Sequence, residues 1–173
     1  VDGFTGIESS VRARHVVNAA GPRADAVRQA LHVDGDPLVR QSRGSHLVLP
    51  PRAGETALAA FLPDGRIQFV VPNADGTLCG TTDVDDELTG DEGAPPAADV
   101  DYLLGALRFL LDPAPVAADV RFAYAGWRSL PAGKGPPGGL NREAFVVDED
   151  IAAGYLHTIV GGKLTTHRSL AER

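Results

Sequence analysis

Methionine is absent from all 173 residues, and cysteine and tryptophan occur once each. A chain without an initiating or internal methionine is expected to be a piece of a longer protein. The lone Cys79 excludes an internal disulfide and any cysteine-built metal site, and it fits a reducing compartment. Between Leu78 and Gly80, in a strand-like run, it reads as a buried, inert thiol. No apolar run approaches the roughly 20 residues that cross a bilayer. Val1 to Ile7 carry no basic-then-apolar leader pattern, so a soluble, cytoplasmic chain is expected. Positive charge is also short, with 16 Lys and Arg against 23 Asp and Glu and a formal net charge of −7. That balance opposes general nucleic-acid affinity and broad attachment to anionic lipid. It leaves room for a small anion held by local arginines.

Other chemistries are missing as well. His15, His32, His157 and His167 show no metal-ligand spacing with carboxylates or with each other, so no metal site is expected. Asp83, Asp85, Asp86, Asp91 and Glu92 are dense in acid but lack the glycine and bidentate glutamate of a calcium loop. They read as a solvated, turn-rich loop over 82–93. No glycine-rich phosphate loop of the dinucleotide or P-loop kind follows a strand.

What is present alternates between strand and helix patterns. Residues 13–20 (ARHVVNAA) form a β-type run that stops at Gly21-Pro22, and Pro22 suits the first turn of a helix over 23–31. Strand segments near 46–49, 57–62, 66–72 and 77–81 follow, joined by Pro-Asp-Gly and Asn-Ala-Asp-Gly turns too short for parallel crossovers. They predict an antiparallel meander. Val100, Leu103, Leu104, Leu107, Leu110 and Leu111 repeat at i, i+3, i+4, i+7 and predict one helix laid on the sheet. Further strands are read at 119–128, 141–147 and 155–160, with a Pro/Gly-rich loop over 131–139. The class is α+β: an antiparallel or mixed sheet flanked by helices, with a short strand-helix piece at the start.

The segment from Ile159 to Glu172 is the most informative. An apolar strand breaks at Gly161-Gly162 and turns into a helical pattern, so the backbone there can take φ > 0 and approach a ligand. Thr165 or Thr166 is placed to cap the helix, leaving outward N–H groups that attract electron-rich groups. Lys163 adds a full charge and is one of only two lysines in the chain. Arg128 ends a strand and Arg142 lies near the start of the next. Guanidinium and ammonium groups are what a phosphate or carboxylate needs, and the three are expected to face one cavity. Solvated or salt-bridged surface cations are the alternative. His46 alternates with apolar neighbours and reads as a general base or as a hydrogen-bonded core or rim histidine.

Val17-Asn18-Ala19-Ala20-Gly21-Pro22, Gly44-Ser45-His46, Gly80-Thr81-Thr82-Asp83, Tyr124 to Leu130 and Gly161 to Thr166 together resemble FAD-dependent glycerol-3-phosphate dehydrogenases, in the D-amino-acid-oxidase-like flavoprotein superfamily. The resemblance covers nearly the whole chain. It implies oxidation of sn-glycerol 3-phosphate to dihydroxyacetone phosphate, with hydride passing to FAD and electrons onward to a quinone. It implies catalytic roles for His46, Arg128 and Lys163, and a substrate site of Arg128, Arg142, Lys163 and His46. Gly21, Gly161, Gly162, Lys163, Leu164 and Thr165 would line the cofactor. Residues 1–31 would then be the end of a FAD-binding domain, 32–158 a substrate-binding domain and 159–173 the return to the flavin edge. The parent would be cytoplasmic, with peripheral membrane contact and homo-oligomers both open. The chain alone would be inactive and without flavin. Two readings compete: another oxidoreductase of the superfamily, acting on an amino or 2-hydroxy acid, and a non-catalytic binding or assembly domain.

Overall fold

The structure is a computed structural model that describes every residue except 1, 53, 55, 89–92, 136–142, 153 and 173. The chain divides into two compact units, residues 1–39 with 141–173, and residues 40–140. The hairpin of β8 (Phe145–Ile151) and β9 (Gly154–Val160) belongs to the first unit, where it pairs with the opening strand β1 (His15–Asn18).

In that first unit the strand order is β1-β9-β8, with β1 parallel to β9 and β8 antiparallel to it. Gly21–Arg23 makes one tight 3-10 turn with Pro22 in its first positions, and α1 (Ala24–Ala30) follows. Asn18 fixes the junction: its buried amide donates to the Ala24 carbonyl at 2.9 Å and to Thr158 Oγ1 at 3.3 Å. Arg28 projects from α1 and is buried between Asp25 and Glu149. Asp25 also accepts from the Leu38 and Val39 N–H groups. Burial would raise the Asp25 pKa, but these donors and Arg28 hold it below the usual carboxylate value. A buried arginine survives here because both its charge and its donors are answered.

The second unit is a six-stranded sheet, β3 (Leu58–Phe61), β4 (Ile67–Asn73), β5 (Gly76–Gly80), β2 (Val39–Leu49) and β6 (Val84–Asp85) in spatial order, with β7 (Phe122–Pro131) also pairing β2. The β3-β4-β5 meander matches the short turns. Leu47, Leu49, Val70 and Cys79 on one face pack against Leu103, Leu104 and Leu107 of α2 (Ala97–Leu107). The expected stripe is the core, although the helix ends at Leu107 and Leu110 and Leu111 pack from the following turn. Cys79 is fully buried, and burial pushes its thiol up to about 11, so it is inert as expected.

The acid-rich loop is the main departure. Thr82 is buried, Val84–Asp85 pairs with Ser42–Arg43, and Asp85 and Asp86 are bound by Arg40 and Arg43. Asp99, in the first turn of α2, accepts from Arg43 Nε at 3.0 Å, Thr82 Oγ1 at 3.2 Å and Ser45 Oγ. Burial opposes its charge, but Arg43, Ser45 and Thr82 outweigh that and keep its pKa low. The network bolts the helix start to β2. Among the described residues no helix is long and apolar enough to cross a membrane.

Candidate active site

Two adjacent strands of the second unit, β2 and β5, place two glycines on the sheet face opposite the core. Register puts His46 beside Gly80, and Gly80 beside Phe69 of β4. The His46 ring lies over Gly80 so closely that a Cβ there would fall 2.4 Å from His46 Cδ2. Tyr124 of β7 stacks on the same ring, centroids 5.0 Å apart and planes 12° from parallel, and Phe122 continues the stack. Burial first, and then the charge of Arg128, lower the His46 pKa, with the Gly44 backbone acting the other way. His46 is therefore a neutral imidazole near pH 7, the form that accepts a proton. His46 is half-buried, and its buried Nδ1 has no hydrogen-bond partner among the described residues, so the expected hydrogen-bonded histidine is not what is seen at that atom.

Arg128 is the second element. Its guanidinium lies flat on the backbone of Gly44, where a Cβ would come within 2.4 Å of Nη2, 2.6 Å of Nη1 and 2.7 Å of Cζ. The loop after β5 holds its edge: Nη2 donates to Thr81 Oγ1 at 3.0 Å, and Nη1 to the Thr82 carbonyl at 3.2 Å and Asp83 Oδ1 at 3.4 Å. Asp83 in turn accepts from Ser42 Oγ. The side chain of Arg128 stays 26% exposed. Gly44, Gly80, Thr81, Asp83 and Tyr124 went unassigned in the sequence. Their signal was membership of the Gly44-Ser45-His46, Gly80-Thr81-Thr82-Asp83 and Tyr124–Leu130 motifs that carry the resemblance.

In the first unit the expected turn is present. Gly161 and Gly162 follow β9 with φ of 72° and 89°, and Gly21 follows the parallel β1 with φ of 58°. Both glycine turns thus leave the carboxyl ends of adjacent parallel strands, where open α/β sheets commonly bind ligands. Lys163, Leu164 and Thr165 are exposed beyond them. The helix expected there is shorter: a 3-10 turn, Leu164–Thr166, precedes α3 (His167–Ala171). Neither Thr165 nor Thr166 caps it. Thr166 Oγ1 instead folds back, donating to the Lys163 carbonyl at 3.0 Å and accepting from its N–H at 3.3 Å. A five-residue helix has little dipole, so the turn's glycines and Lys163 carry the ligand argument. Arg142 lies outside the described residues, and Arg128 and Lys163 belong to different units.

The second unit thus carries a neutral histidine and a mounted arginine on one sheet face, and the first unit carries a strand-end glycine turn followed by an exposed lysine. The family described as FAD dependent oxidoreductase matches residues 1–168, and the chain belongs to it. It is 34% identical to the mitochondrial glycerol-3-phosphate dehydrogenases of Arabidopsis thaliana and of Homo sapiens, over 98% and 99% of its own length. It covers 27% and 24% of those proteins, so it spans about a quarter of the relatives it matches. Glycerol-3-phosphate dehydrogenase 2 of Mycobacterium bovis is 35% identical over 98% of the chain and 29% of that protein. In three dimensions it resembles the crystal structure of a Bacillus halodurans glycerol-3-phosphate dehydrogenase complexed with FAD. There the TM-score is 0.74 at 31% identity, covering 93% of this chain and 31% of that one.

Proposed function

We propose that this chain supplies the substrate-holding sheet and the flavin-edge turn of an enzyme that oxidises sn-glycerol 3-phosphate to dihydroxyacetone phosphate. The observation that carries the reading is Arg128 laid on Gly44 beside a neutral His46, on the sheet face away from the core. A planar guanidinium on a partly exposed side chain suits a phosphate dianion, and a neutral imidazole nearby suits an alcohol about to lose its proton. Similarity to named dehydrogenases of that substrate supports the choice of phosphate over carboxylate.

The residues at the strand ends fit a flavin. Gly161 and Gly162 hold backbone conformations that only glycine takes without strain, which leaves a turn free of Cβ atoms against a flat ring. Gly162, Lys163, Leu164 and Thr165 would line the pyrimidine edge, and Gly21 would flank the cofactor. Bound there, FAD supplies the hydride acceptor. Arg128 binds and orients the phosphate, with Arg142 as its partner. His46 takes the proton of the substrate's secondary hydroxyl as the carbon loses its hydride. Lys163 places positive charge where negative charge grows. A quinone would be the onward electron acceptor, and a cytoplasmic protein with peripheral membrane contact would fit that acceptor, self-association being open.

The test is steady-state oxidation of glycerol 3-phosphate with an artificial acceptor by the full-length, flavin-loaded enzyme and its Arg128→Ala variant. A charged hydrogen bond contributes about 1.5 to 3 kcal/mol, so kcat/KM should fall by at least one decade. Unchanged kinetics in a normally folded variant, or faster turnover of an amino or 2-hydroxy acid by the parent, refutes the reading.

A further inference from the structure

We infer that Tyr124 is a positioning residue for the proton-accepting step, its ring closing a slot in which contact alone holds the His46 imidazole in place. This rests on the reading of His46 as the base. A histidine that acts as a base is commonly aimed by a hydrogen bond from its second ring nitrogen to a carboxylate or a carbonyl. His46 has no such tether: its Nδ1 is buried without a hydrogen-bond partner among the described residues. The Gly44 backbone favours the charged ring but makes no hydrogen bond to that atom. The torsion that turns a histidine ring is broad on its own, so something else must set it. Two strands that pair with β2 supply the walls. On β5 the ring lies over Gly80, where an added Cβ would fall 2.4 Å from Cδ2 and 3.0 Å from both Cγ and Nε2. On β7 the Tyr124 ring covers it, with centroids 5.0 Å apart and planes 12° from parallel, the offset stacking that aromatic rings favour. Phe122, with its centroid 6.0 Å from that of Tyr124, backs the phenol ring in turn. Turning the imidazole drives it into the Gly80 backbone or into the phenol ring. The slot replaces the missing hydrogen bond.

Two other roles for Tyr124 leave different signatures. A hydroxyl that touched substrate would make Tyr124→Phe as damaging as loss of the whole ring. A residue serving stability alone would move the melting temperature and leave the kinetics unchanged. A positioning ring acts on the proton-accepting step and not on the grip on phosphate, so its loss slows flavin reduction at saturating substrate while half-saturation hardly moves. It also keeps water from the imidazole. Burial is the first cause of the lowered His46 pKa, so uncovering the ring raises that pKa and moves the acid limb of kcat/KM to higher pH. Among the described residues the charged and titratable groups facing the ring are Arg128 and Tyr124 itself, both on β7, while β5 presents only Gly80. Arg128 is unchanged in every Tyr124 variant, so the shift reports the cover.

The experiment follows anaerobic flavin reduction by glycerol 3-phosphate in the full-length, flavin-loaded enzyme by stopped flow, with a pH profile of kcat/KM and a thermal melt for each variant. In Tyr124→Leu, which keeps bulk but loses the plane, the limiting rate is expected to fall about tenfold with half-saturation within about twofold of wild type, and the acid limb to move up. Tyr124→Phe keeps the plane and is expected to stay within about threefold of the wild-type rate. Tyr124→Met, unbranched and adaptable, decides the matter if Tyr124→Leu does not fold. A folded Leu or Met variant with the wild-type rate and acid limb, or a Phe variant as slow as the Leu variant, overturns the positioning role. His46→Gln separates the two readings. If it is slow while the Tyr124 variants are fast, only the positioning role fails; if it is as fast as wild type, the reading of His46 as the base fails and takes this inference with it.

Discussion

Replacing Gly44 with alanine adds one methyl-sized group under the Arg128 guanidinium, and the geometry gives the size of the effect. The new Cβ would sit 2.4 Å from Nη2, while ordinary contact needs at least 3.4 Å, so the fork must lift by about 1 Å. That shift breaks hydrogen bonds of 3.0 to 3.4 Å to Thr81, Thr82 and Asp83, since none has slack at that range. One charge-assisted bond mis-set toward substrate costs about 1.5 to 3 kcal/mol, which is a drop in kcat/KM of roughly 10- to 100-fold. Folding should hardly change. Gly44 lies in the middle of β2 outside the left-handed region, where alanine gains about 0.5 to 1 kcal/mol over glycine and offsets the lost arginine contacts. The assay is glycerol 3-phosphate oxidation by the flavin-loaded enzyme, paired with a thermal melt. A kcat/KM within twofold of wild type, in a folded and flavin-loaded variant, would show that the guanidinium on Gly44 is not the group that binds substrate.

The other residues give sharper contrasts. Lys163→Ala, in an exposed turn whose shape is set by Gly161 and Gly162, should lower kcat/KM by about one to two decades with no change in melting temperature. Wild-type kinetics would return Lys163 to the surface. Asp99→Asn leaves the part-buried Arg43 with Asp86 as its remaining ion pair and should destabilise the fold by about 3 kcal/mol near pH 7, read by urea unfolding. Because the folded pKa of Asp99 is depressed, its contribution is fully present above the ordinary carboxylate value of about 4 and is lost as pH falls through the lower folded value. The gap between wild type and variant should therefore stay constant from pH 7 to about 5 and close below about 4; a gap independent of pH would contradict the ionised network.

Helix α2 was legible because its signal is local: Leu103, Leu104 and Leu107 recur at the helical period whatever lies opposite. The glycine turn after β9 was legible for the same reason, since a strand that stops at Gly161-Gly162 states its own backbone conformation. Strand β2 was legible only over its last four residues. The part before that carries Arg40, Ser42, Arg43 and Ser45, polar residues that leave no alternating apolar pattern to read. They are sheltered there by acids from elsewhere in the chain. The misreading of the 82–93 segment is the other half of the same fact. Asp83, Asp85 and Asp86 look solvated in sequence, and their partners lie some 40 positions away on β2 and β7, a separation at which no local pattern operates. The site divides along this line. His46, Arg128 and Lys163 could be chosen because their side chains carry chemistry, whereas Gly44 and Gly80 act by having no side chain, and their purpose exists only once β2, β5 and β7 are side by side. A substrate arginine was thus readable as a residue type, but the surface that aims it was not, because that surface is made by register.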